Sequence, residues 1–122
     1  MFALVLGAVL TVIGVAGFFV NADFTTGNSI TAGTLLVLDV NGWINLVHLV
    51  TGLAGIYVAM RPGMAHKYAL AVGVVYMVLA VWGLLTTPIL GMLPVSSADT
   101  VLHAGIGALA LMVAFGPKDV EV

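Results

Sequence analysis

Two of the chain's three histidines, His48 and His103, lie inside long apolar stretches. An ionisable side chain there is costly unless it faces protein, water or a bound group. Each has polar company on its own helical face: Asn45 three residues before His48, and Thr100 and Asp99 three and four residues before His103. A glycine follows each by one turn, Gly52 and Gly107. Neutral imidazoles in such a pair can coordinate a haem or a metal, and the glycines would leave room for a flat macrocycle. The plainer reading is that each imidazole hydrogen-bonds a neighbouring helix and glues a bundle together. For a first-row metal, two histidines are too few for a closed tetrahedral site unless Asp99 or Asn45 joins them, so no metal is expected. The first expectation is therefore no cofactor. Haem on His48 and His103 is the rival.

Little else in the chain could react. With no cysteine, disulfides, iron–sulfur clusters and thiol chemistry are excluded. No serine has a plausible base, no glycine-rich loop is joined to a lysine, and no paired carboxylates fall in one apolar stretch. The six methionines are too scattered for a copper box. Asp99 is expected to cap a helix, because Ser96-Ser97-Ala98-Asp99 fits the capping-box pattern. Asp39 reads as solvated. The chain is not expected to be an enzyme, and a charged path for ions is missing.

The elements that must position these residues follow from composition. Hydrophobic residues make up 62% and charged residues 7% of 122 positions, and mean hydropathy is +1.26, whereas soluble domains carry about 25% charged residues. Such a chain resides in a bilayer. The small net charge of -2, with no cationic cluster, gives no reason to expect nucleic acid. Four spans of bilayer length are expected, at about 2–20, 42–60, 68–85 and 97–115, in one domain. A cleaved signal peptide is the rival for the first, with Val20-Asn21-Ala22 as a passable site, but no cation precedes the apolar run. Asn41 is a plausible N-cap for the second, and Arg61-Pro62-Gly63 ends it. In the loop 21–41, Leu35 to Leu38 is expected at the membrane surface or packed over the bundle's end.

The chain also repeats. Thr31 to Gly55 lies on Thr86 to Ala110 at an offset of fifty-five residues, placing His48 on His103 and Gly52 on Gly107. Leu6 to Phe19 lies on Val72 to Leu85 at an offset of sixty-six, so the first loop carries an insertion near Asn21 to Thr31. The repeat halves are 1–60 and 61–116, each a helical hairpin. A hairpin returns the chain to its starting side, so the two copies run parallel about a pseudo-two-fold along the membrane normal. Helix packing is expected on three small-residue rows: Gly7, Thr11 and Gly14; Ala69 with Gly73; and Ala104 with Ala108. Arg61, Lys67 and Lys118 share the termini's side, which predicts cytoplasmic termini in a bacterial plasma membrane.

The strings NLVHLVTGLAG, AHKYALAVGVVYMVLAVWGLL and LGMLPVSSADTVLHAGIGAL resemble the small four-helix bacterial membrane proteins grouped as domain-of-unknown-function family 4383. The likeness runs from the first span to Leu111. Its most specific part is the paired Asn-x-x-His and Asp-x-x-x-His elements. It implies an all-α integral membrane protein, a four-transmembrane-helix bundle, and no assigned activity. The expected function is non-enzymatic, through helix contacts in the lipid bilayer, as a homo-oligomer or an accessory subunit with other membrane subunits. Electron transfer on a His48–His103 haem or pigment is the alternative, and carriage of a small neutral or lipid-like molecule a weaker one.

Overall fold

The computed structural model describes residues 1–117, so the charged tail from Lys118 lies outside the described residues. Four helices, α1 (Phe2–Val20), α2 (Gly42–Ala59), α3 (Ala65–Leu85) and α4 (Ser97–Ala114), are each long and apolar enough to cross a membrane. The chain is a multi-pass four-helix membrane protein. The third helix starts three residues before the expected span, because the break at Gly63, φ +81°, is complete before Met64. His66 and Lys67 thus occupy its first turn, and His66 Nε2 donates to Pro117 O at 3.1 Å.

Glycine determines how each hairpin closes. A Cβ at Gly7 would lie 2.7 Å from Gly52 O and Ile56 N, and one at Gly14 would lie 2.8 Å from Leu49 N. Only a bare backbone lets α1 and α2 approach so closely. The second hairpin repeats the arrangement: a Cβ at Gly107 would lie 2.9 Å from Met77 N, and one at Gly73 2.7 Å from the Leu111 side chain. By contrast, α2 meets α3, and α1 meets α3, at only a few points. The backbones of α2 and α4 hardly approach, and side chains fill the seam.

Residues related by the two offsets are buried in both copies: Ala3 and Ala69, Gly7 and Gly73, Leu10 and Tyr76, Asn45 and Thr100, His48 and His103, Gly52 and Gly107. The expected Ala104–Ala108 row is not formed. Gly107 takes the close approach on α4, and Ala108, one residue and 100° further round, faces outward.

At the end of the bundle remote from the termini, its outer end, where α1 and α3 finish, two small turns cover the helices. Strands β1 (Gly33–Leu35) and β2 (Leu38–Val40) form an antiparallel hairpin, and Ile89 bridges Leu93 in the other loop. Leu35 and Leu38 pack on the core of Val40, Ile44, Leu79, Ile89, Leu93 and Val95. The tips carry Leu36 and Leu90, both at φ 56° and exposed at 89% and 66%. A leucine in this left-handed region is strained. The loops clasp each other: Gly27 N donates to Gly91 O at 2.9 Å, and Asn41 Nδ2 to Met92 O at 2.8 Å. The inserted segment wraps around Asp23, which accepts from Thr31 Oγ1 at 2.7 Å and Thr25 N at 2.9 Å. Those bonds hold its carboxyl below the usual range, Thr31 contributing most.

Candidate functional site

The two histidines are brought to one place by equivalent helix starts. Asn41 caps α2, its side chain accepting from Ile44 N at 3.0 Å. Ser96 caps α4 in a full capping box with Asp99. Each histidine lies seven residues, nearly two turns, after its cap, so both reach the seam at one depth. Their ring centres are 5.8 Å apart with planes tilted by 60°. Tyr76 of α3 completes the group, edge-on to His103 at 5.5 Å and 6.5 Å from His48. Both histidines are 0% exposed and Tyr76 is 1% exposed.

Tyr76 was not among the sequence candidates. It is the repeat partner of Leu10, and attention to residues matching between halves hides a position whose chemistry differs between them. A tyrosine at mid-span opposite a leucine was the available signal.

The imidazoles are not hydrogen-bonded to neighbouring helices as the plainer reading expects. None of the four ring nitrogens has a partner, nor do the Tyr76 hydroxyl, Asn45 Oδ1 and Asp99 Oδ1. The Tyr76 hydroxyl lies beside Thr51, but the Thr51 hydroxyl already donates to Val47 O at 2.7 Å and no well-formed bond joins the two. The other candidates do local work. Asn45 Nδ2 donates to Asn21 O at 2.8 Å, holding the end of α1 to α2. Asp99 Oδ2 accepts from Ser96 N at 2.7 Å, Ser96 Oγ at 2.8 Å and Asp39 N at 2.9 Å, tying β2 to α4. Thr100 packs toward Gly83, where a Cβ would lie 2.9 Å from its hydroxyl.

Two expectations are corrected. Gly52 and Gly107 do not leave space beside the histidines: Gly52 abuts the Thr11 backbone and Gly107 the Met77 backbone, each within its own hairpin. A macrocycle would require the hairpins to part. Asp39 is half-buried instead of solvated, and desolvation, with the Asp99 charge second, pushes its carboxyl above the usual range.

Two grooves of about 230 Å³ flank the seam at positions equivalent under the repeat. The α1–α4 groove is lined by apolar residues including Leu6, Leu10 and Ile106; the α2–α3 groove includes Thr51, Tyr68 and Tyr76. Tyr68 is spoken for, its hydroxyl donating to Thr51 O at 2.8 Å. A larger groove of about 580 Å³ runs along α3 past Met77, Val78, Val81 and Trp82. Among the described residues, no set of three or more His, Cys, Asp or Glu side chains could hold a metal ion.

A family model described as Domain of unknown function (DUF4383) matches residues 1–116. No curated protein and no solved structure matches the chain.

Proposed function

We propose, from the premise that the chain belongs to the family described as Domain of unknown function (DUF4383), that it is a non-enzymatic membrane protein acting through its helix faces. It works as a homo-oligomer or as a small accessory subunit of a larger membrane complex. The observation that carries this reading is the distribution of polarity. Asn45, His48, Asp99 and His103 all point inward and are 0% exposed, while large apolar side chains such as Val12, Val78, Val101 and Met112 cover the outside. A surface of that kind suits contact with other helices. The α3 groove is the natural place for a neighbouring helix to seat. Arg61 and Lys67 at the termini's end support a plasma-membrane location with cytoplasmic termini.

The chain has no cysteine, so a single one introduced at Val101, exposed on α4 outside the groove, gives a clean label site. Spin labels there, in bilayers diluted with unlabelled protein, should report a defined distance between chains that is lost when Val81→Trp fills the groove. A protein that stays monomeric in bilayers and purifies from its membrane without a stoichiometric subunit would contradict the proposal. The rival reading is a haem held by His48 and His103, which would need the hairpins to part. Its test is a Soret band that shifts on dithionite reduction and vanishes in His48→Ala/His103→Ala.

A further inference from the structure

The seam holds a concentration of unmet polar demand. His48 and His103 are sealed from solvent with every ring nitrogen unpartnered, and Asp99, also 0% exposed and one turn toward the outer end, has an unpartnered Oδ1. A buried unpartnered polar group is costly, and an uncompensated buried charge more so. The cations within the described residues, Arg61 and Lys67, sit at the opposite end of the bundle. Among the described residues, no cation lies on the half of the bundle that holds Asp99.

The ring spacing narrows what could engage one nitrogen of each ring at once. Two imidazoles sharing one ion, with metal–nitrogen bonds of about 2.0–2.1 Å, have ring centres about 5 Å apart when the bonds are bent and about 6 Å when they are in line. The observed 5.8 Å falls in that interval, near the in-line end. Two protein nitrogens do not complete a tetrahedral zinc shell, and no third His, Cys, Asp or Glu ligand joins them among the described residues. Two nitrogens would suffice for the two-coordinate shell that a d¹⁰ monovalent copper ion accepts, and imidazole is a good copper ligand. A single positive charge is also cheaper to hold at this depth than a double one, and the Asp99 carboxylate supplies its counter-charge.

We propose that His48 and His103 bind one monovalent copper ion across the seam, with Asp99 as its counter-charge. The ion is a staple. It links α2 to α4, whose backbones hardly touch, and so joins hairpins that otherwise meet at few points. Asp39 and Asp99 together give the outer end above the site a negative potential that draws a cation in. Binding involves no electron transfer, and the copper must arrive already reduced.

The test uses the full chain in lipid nanodiscs, with copper kept monovalent by ascorbate and competed against bicinchoninate. The expected result is one copper per chain, an X-ray absorption edge of the monovalent ion, a first shell of two nitrogens without sulfur, and a raised unfolding temperature. His48→Leu/His103→Leu, which keeps the seam filled with apolar volume, should fold and lose that copper. The wild-type first shell decides the matter should the variant fail to fold. Copper left wholly on the competitor overturns the proposal. So does a first shell containing sulfur, which would place the ion on Met77 beside Gly107, or a folded double variant that still takes one equivalent.

Discussion

The interface inside each hairpin and the seam between the hairpins are built on opposite principles. Inside a hairpin, Gly7, Gly14 and Gly52 bring backbone against backbone, as Gly107 does against Met77. At the seam the backbones stay apart and large polar side chains, His48, His103 and Tyr76, fill the distance. In a bilayer, where lipid is as apolar as leucine, close van der Waals contact is what holds helices together. The hairpins are therefore the stable units. The seam is where the molecule carries uncommitted chemistry, and where a bound group could act as a clamp.

That contrast can be broken most severely within a hairpin. Gly52→Leu drives a side chain into the Thr11 backbone, which cannot yield as a flexible side chain would. Loss of about 3 kcal/mol or more is expected in a detergent-mixture unfolding titration. Retention of wild-type stability would show that the hairpin is looser than described. Next comes the outer end: Asp99→Ala removes an acceptor serving Ser96 and Asp39, at an expected cost of about 1–3 kcal/mol by the same titration.

The seam responds differently. In copper-free protein, His48→Leu/His103→Leu replaces unpartnered imidazoles by apolar groups and should change stability by less than about 1 kcal/mol or raise it, since removing unmet polar groups is nearly neutral. A large loss without copper would mean the imidazoles have partners within the protein. Gly105 is the control, since a Cβ there meets nothing within 4 Å. Gly105→Ala should stabilise by about 0.5–1 kcal/mol through helix propensity alone. The smallest effect concerns Asp39, whose carboxyl is held above its ordinary 3.8. The folded state grips that proton more tightly than the unfolded chain, so the stability it contributes is full below 3.8 and is lost as pH rises through the folded value. Asp39→Asn should therefore stabilise slightly at neutral pH and bring no benefit below 3.8; a benefit independent of pH would contradict the burial of Asp39 against Asp99.

Much of this was legible in the sequence because apolar length, caps and breakers act locally. Phe2 to Val20 announces a span by length, Asn41 and Ser96 announce helix starts by their side-chain acceptors, and Gly63 permits the turn after the second span by its backbone freedom. The pairing of His48 with His103 was legible only through the repeat. Three things were not. The roles of Gly52 and Gly107 depend on which way their helix face turns, and a glycine string reads alike whether it faces a neighbour or a cavity. Tyr76 escaped because its repeat partner is Leu10. The outer strands escaped because Leu36 and Leu90 adopt a left-handed conformation that leucine does not signal.

The most direct test is solid-state NMR of the copper-free chain in bilayers with ¹⁵N- and ¹³C-labelled histidine. The account predicts ring-to-ring cross-peaks between His48 and His103, consistent with centres 5.8 Å apart, and imidazoles without strong hydrogen-bond shifts. Histidines without a mutual cross-peak, each shifted by a bond to a different helix, would contradict it.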